Sequence, residues 1–292
     1  MRVGARPDPV LNVFKIYVQS LSSSGRMLRK VLIVALLALI IYSTTCGYRE
    51  GGVMVVSSDT FAAGLRAEVL VIEGVRNVTL VDVSATGVVI KGSENVSLIH
   101  VNVSGGLEGG CGSVCISVED SRGVSLVAGT VAGCDVGVEV RGSRWVEVRG
   151  LEVLGGEHGV YVFNSRGVRL AGLKVSGAGA YGIAISYSRA VRVEFSNVTS
   201  CTKGVGVYKS SDVTLNRLEV VNSTDYGIGI EHSRGVRVSE SVSVGCGSGA
   251  YLVLSRTEFE GCVFIGCCCG LGAECSRYTL RGCRFLGCGV GG

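Results

Sequence analysis

A unit of about 22 residues recurs along most of the chain and constrains the fold more than any other feature. Aligned on a small residue followed by arginine, units read SRGVSLVAGTVAGCDVGVEV, SRWVEVRGLEVLGGEHGVYV and SRGVRLAGLKVSGAGAYGIAI. Anchor serines fall at Ser93, Ser121, Ser143, Ser165, Ser188, Ser210, Ser233, Ser255 and Ser276, at intervals of 28, 22, 22, 23, 22, 23, 22 and 21. Each unit holds three short alternating runs, as in Val168-x-Leu170, Leu173-x-Val175 and Ile183-x-Ile185. A period of two puts one side chain in and the next out. Three short strands and three turns fill one coil, and successive coils stack at the strand spacing of roughly 4.8 Å. Inner columns of Val, Ile and Leu then form a core that no single unit buries alone.

The expected fold is therefore all-β: a single-stranded parallel β-helix of about 10 coils, three short strands per coil, over residues 47–292. Composition agrees. Glycine is abundant, at 45 residues, without the Gly-X-Y period of collagen, and 47% hydrophobic with 18% charged is too apolar for a disordered chain. A leucine-rich horseshoe lacks its consensus leucines, repeat asparagine and helical stretch here. The repeat resembles the right-handed parallel β-helix of the pectin-lyase-like superfamily, in particular the short repeats shared by carbohydrate-binding proteins and sugar hydrolases, over residues 53–292. That resemblance speaks to fold far more than to activity.

Residues 1–46 read as a leader. Residues 31–42 (VLIVALLALIIY) form an apolar run behind Arg29 and Lys30, the size of a signal-peptide core, with an uncleaved membrane anchor as the alternative. Cys46 raises lipidation, and Met27 is a second candidate start. The leader holds six basic residues and one acidic; the rest holds 22 and 23. The net charge of +4 belongs to the leader, so nothing points to nucleic acid. Positive residues stay inside, placing the remainder outside the cytoplasm, either secreted or anchored at the cell surface.

Function in a solenoid is read down columns. The residue after the anchor is arginine at Arg122, Arg144, Arg166 and Arg189, among others. These form either a solvated turn whose stems snorkel or a strip for an acidic glycan. The matching serines read as a ladder of turn hydrogen bonds. Outward positions of the third strand include Tyr161, Phe163, Tyr208, Glu231 and Tyr251 around a small floor of Ala184, Gly206 and Gly229, a surface suited to sugar faces. Asp135, Glu157 and His158 are the catalytic candidates, for acid–base work on a glycosidic bond. Glu157-His158-Gly159 half resembles the Gly-His-Gly of polygalacturonases, whose companion aspartates are missing. An insertion, SGGLEGGCGSVC, lengthens the Ser93 coil on a side that marks function in repeat proteins.

Cysteines recur at turn positions, and Cys262–Cys283 and Cys267–Cys288 are candidate staples. The Cys267-Cys268-Cys269 run points to a soft metal such as copper(I), as in the β-helix maturation proteins of copper-dependent nitrous-oxide reductase. Adjacent strand residues face opposite ways, however, so no metal site or cofactor is assigned. Sequons at Asn77, Asn95, Asn102, Asn197 and Asn222 are either glycosylated or part of the turn pattern. The sequence ends at CGVGG without a polar cap, so the last coil calls for a stacking partner or belongs to a truncated product. The expected function is an exported or membrane-anchored surface module that binds carbohydrate or serves as structure. The alternatives are a polysaccharide lyase or glycoside hydrolase, and a copper-enzyme maturation accessory protein.

Overall fold

The structure, a computed structural model, describes residues 52–107 and 112–289. The leader, with its apolar run, Cys46 and alternative start, lies outside the described residues. No helix among the described residues is long and apolar enough to cross a membrane. The chain is a parallel β-solenoid of about 10 turns of roughly 22 residues, built from 27 strands that pair in parallel with the coil before and after. Each turn has three faces. In one, Glu147–Leu154 crosses the first and second faces, bending at Gly150, and His158–Phe163 forms the third. The bend needs φ of +65° at Gly150, and most other coils place one left-handed residue at the same corner.

The alternation expected for the third strand holds. Val138 and Val140, Val160 and Val162, Ile183 and Ile185, Val205 and Val207, and Ile228 and Ile230 are all buried in one continuous core. Equivalent residues meet across neighbouring coils, as in Val160 with Ile183 and Ile183 with Val205. Fully burying such a side chain contributes about 1.5–3 kcal/mol, and it does so only because the next coil covers it.

The serine column is a hydrogen-bond ladder. The N–H of Ser143 donates to Oγ of Ser165 at 3.1 Å, Ser165 to Ser188 at 3.1 Å and Ser188 to Ser210 at 3.0 Å. Each hydroxyl returns its own proton to the carbonyl two residues earlier, as Ser165 does to Phe163 at 2.9 Å. Buried backbone donors at this corner are thus paired without any strand ladder. Cysteines play the same part at the other corners: Cys201 Sγ donates to the Thr199 carbonyl and Cys246 Sγ to the Val244 carbonyl.

The last repeats shorten for a visible reason. In earlier coils the residue after the arginine is left-handed, as at Trp145, Gly167, Ala190, Asp212 and Gly235. At the next coil the register shifts between Arg234 and Val236, so Thr257 takes the inward place of Val236 and the left-handed residue is absent. Thr257 is buried, and its hydroxyl has no hydrogen-bond partner.

The disulfide also differs from the sequence expectation. Cys115 and Cys134 are bridged, with Cα atoms 5.7 Å apart, whereas Cys262, Cys283, Cys267 and Cys288 are free thiols. These four stand in turns at equivalent positions of neighbouring coils, so each stacked pair points the same way at the coil spacing of about 4.8 Å, beyond the Cβ separation a disulfide prefers. Cys115 and Cys134 are instead non-equivalent positions, one on a third-face strand and one in a turn, so their side chains approach from different directions.

Candidate functional site

The third face carries an aromatic cavity of about 350 Å³. His158, Tyr181 and Tyr226 stand on one side, each immediately before a buried glycine in its strand. Those glycines are obligatory: a Cβ at Gly182 would lie 2.8 Å from the Gly204 carbonyl oxygen and 2.3 Å from a Val198 methyl. Tyr208 stands on the other side, Ala184, Ser186 and Gly206 form the floor, Tyr161 closes one end of that floor in register with Ala184, and Glu231 follows Tyr208 at the other. The His158 ring stacks on Tyr161 at 5.5 Å and on Tyr181 at 5.6 Å. Along the adjacent corner the rings continue from Phe163 to Tyr187, Tyr208 and His232, with centroids 5.5–5.8 Å apart. Such edge-to-face contacts hold the outer wall in place.

Electrostatics divide the cavity. Burial holds the His158 imidazole below its ordinary value, and the neighbouring Glu157 charge opposes this only in part. Its Nδ1 is buried without a partner. Burial pushes the Tyr161 and Tyr226 hydroxyls up, so both stay protonated donors. Lys203 lies over the Tyr181 and Tyr226 rings at 4.9 and 5.4 Å and bonds the Tyr181 hydroxyl at 3.3 Å. Desolvation lowers its pKa, but the Tyr181 bond and the Asp225 and Glu231 charges outweigh this and raise it. The walls offer ring faces and hydroxyls, a neutral imidazole, Lys203 over the Tyr181 and Tyr226 rings, Lys209 over the Tyr208 ring at 5.1 Å, and one lining carboxylate.

The family model described as right handed beta helix region matches residues 136–288, which includes most of this face. The chain belongs to the right-handed β-helix family. No curated protein matches the chain in sequence. Among solved structures, this β-helix is similar to the enzymatically active domain of bacteriophage CBA120 tailspike protein 2, at 16% identity and a TM-score of 0.54. The match covers 79% of this chain and 42% of the tailspike domain, so the chain spans about two fifths of that relative's length. Pectate lyase Pel9A is similar at 13% identity and a TM-score of 0.50, over 82% of this chain and 67% of the lyase. At these identities the likeness is one of fold.

Three of the five third-strand residues expected to bind, Tyr161, Tyr208 and Glu231, line the cavity of this β-helix. Phe163 flanks it, under the Arg141 guanidinium, and Tyr251 stacks on Tyr226 and donates to Glu274 outside it. The small floor is only partly open. A Cβ at Gly206 would lie 2.5 Å from the Tyr181 ring and one at Gly229 2.2 Å from the Tyr226 ring, so these glycines are berths for rings. Tyr181, Lys203 and Tyr226 escaped the sequence reading, although each precedes a strand glycine in the repeat. That Xaa-Gly column was the available signal.

Of the catalytic candidates, His158 enters the cavity and the two carboxylates do not. Asp135 accepts bonds from the Ser113 N–H and hydroxyl, at 2.7 and 3.2 Å, and so ties the inserted loop to the next coil. Glu157 is exposed. The arginine column is exposed throughout: Arg189 pairs with Asp212 at 2.9 Å, and Arg122, Arg144 and Arg166 pair with no carboxylate among the described residues. All five sequon asparagines are exposed. Asn77, Asn95 and Asn222 have left-handed backbone, Asn102 accepts from the Thr130 N–H, and Asn197 begins a strand. In the cysteine run, Cys267 is buried and Cys268 exposed, so adjacent thiols do not converge.

Proposed function

We propose that this β-helix binds carbohydrate in the aromatic cavity of its third face and holds it without turnover. The observation that carries the reading is the cavity itself: a lining of aromatic rings, a floor of small residues, and tyrosine, serine and carboxylate groups among them. Sugars offer C–H patches that pack on rings and hydroxyls that pair with Tyr, Ser and carboxylate groups, and a shallow site with few polar groups fits that chemistry. Retention is favoured over cleavage because Glu231 is the one carboxylate lining the cavity among the described residues, while glycosidic hydrolysis by acid and base takes two. The leader reading places this activity outside the cytoplasm, at a surface or in secretion.

Cleavage of a polysaccharide is the second reading. His158, held neutral at the cavity wall, is the group that favours it, as a base toward an acidic sugar. The fold likeness to a pectate lyase and to an enzymatically active tailspike domain adds only context.

A glycan array followed by a turnover assay on each hit tests both. Binding lost in Tyr161→Ala and Tyr208→Ala, with no new reducing ends or unsaturated products, supports the retention reading. Product release abolished by His158→Ala would establish the second. Binding untouched by all three substitutions removes this face from consideration.

A further inference from the structure

A second cavity, of about 500 Å³, lies on the first face, around the corner from the aromatic one. Its wall is Trp145, a residue 58% exposed whose backbone sits at φ +58°. The same corner position is Asn95, Gly123, Gly167, Ala190, Asp212 and Gly235 in other coils, residues that are small or able to bond locally. Bulky residues take left-handed positions at other corners, as at Tyr187, Phe195 and Leu254, but among the described residues at this corner only Trp145 does. The indole reaches over the next coil, where a Cβ at Gly167 would come 2.7 Å from its Cε3. Gly167 thus makes the berth that presents the indole to solvent.

Beside this platform runs a charged column in parallel register: Glu147, Arg169, Arg192, Thr214, Arg237, Glu258. Its ends are neutralised. Arg169 pairs with Glu194 at 3.0 Å and Glu147 at 3.7 Å, and Arg237 pairs with Glu258 at 3.4 Å. Asp212, the acidic residue lining the cavity, is taken by Arg189. Arg192, in the middle, has no carboxylate partner among the described residues and stands directly opposite Arg169. Like charges facing each other across a strand pair repel, and a bound anion offsets that repulsion. A guanidinium left over beside an exposed indole calls for a ligand with a carboxylate or sulfate on one side and a C–H face on the other.

We propose that this cavity is a second carbohydrate site, for an acidic sugar, with the uronate or sulfate on Arg192 and the ring over Trp145. It stands on a different face from the aromatic cavity and does not depend on that assignment.

Trp145 is the single tryptophan of the chain, so its emission reports this site alone. The test titrates the full chain with a galacturonate hexamer, a heparin hexasaccharide and cellohexaose, reading tryptophan emission. The expected result is a saturable change with at least one acidic oligosaccharide and none with cellohexaose, weakened at least tenfold in Arg192→Gln and suppressed by salt. The Tyr208→Ala variant keeps the signal whether or not the third face binds, which separates the two assignments. Trp145→Gly places in the corner a residue the column already uses; it folds, and by calorimetry loses the acidic ligand. An unchanged emission with both acidic oligosaccharides, an equal response to cellohexaose, or full affinity in Arg192→Gln overturns the proposal.

Discussion

Replacing Ser165 by alanine tests the view that the corner ladder holds the coils in register. Ser165 Oγ accepts the N–H of Ser143 and donates to the carbonyl of Phe163. In Ser165→Ala the Phe163 carbonyl keeps a donor, the Gly142 N–H at 3.1 Å. The Ser143 N–H keeps none, and Ser143 is fully buried at 0% exposure. One orphaned buried donor costs about 1–3 kcal/mol. Taking about 2 kcal/mol, and about 2–4 °C per kcal/mol for a domain of this size, the melting temperature falls by about 4–8 °C. The assay is thermal unfolding followed by calorimetry, with Arg166→Ala as the neighbouring control. Arg166 is exposed and unpaired, so its loss stays within about 0.5 kcal/mol. Ser165→Cys should fall between wild type and Ser165→Ala, because thiols already donate to the same kind of carbonyl at Cys201 and Cys246. A Ser165→Ala loss no larger than that of Arg166→Ala would refute the ladder argument.

Thr257→Val should raise stability by about 1 kcal/mol in denaturant titration, since it removes a buried hydroxyl without a partner and restores the residue used by the preceding coil at Val236. His158 gives a pH dependence of definite sign. Its folded pKa lies below the ordinary 6.5, so the unfolded chain binds the extra proton first, and the contribution is complete above 6.5 and shrinks as pH falls through the folded value. Unfolding measured from pH 7.5 to 5 should show that loss, and His158→Phe should flatten it. Thiol labelling should be ordered by burial: Cys268 and Cys275 are exposed and should react with iodoacetamide at pH 8 in the native state, read by peptide mass. Burial, outweighing the bond from the Ser241 N–H, pushes the Cys262 thiol up to about 11, so it should label only on unfolding.

The coil and its three faces were legible because the period, the serine anchor and the alternation all follow from one geometric unit. Val160, Val162, Ile183 and Ile185 point inward as their spacing requires. The site was only half legible, and the reason is that a repeat hides contacts between columns. Gly206 and Gly229 read as an open floor along their own strands, but rings arriving from Tyr181 and Tyr226 occupy them. Asp135 read as an acid because its role as an anchor for the Ser113 turn involves the previous coil. Stacked cysteines read as staples until side-chain direction was taken into account. In each case the missing information was lateral: where a neighbour's side chain goes, which no periodicity encodes.

The all-parallel pairing has a mechanical meaning as well. Every interstrand bond runs along the stacking axis, so a force pulling apart the first and last described coils loads the bonds of one coil at a time. Peeling one coil of about 22 residues frees roughly 70 Å of chain. The β-helix is then a stepwise shock absorber, which spends a pull as a series of small ruptures and re-forms from the coils that remain. The Cys115–Cys134 bridge shortens one of those steps by locking two residues 19 positions apart, and would mark its place in a force–extension trace.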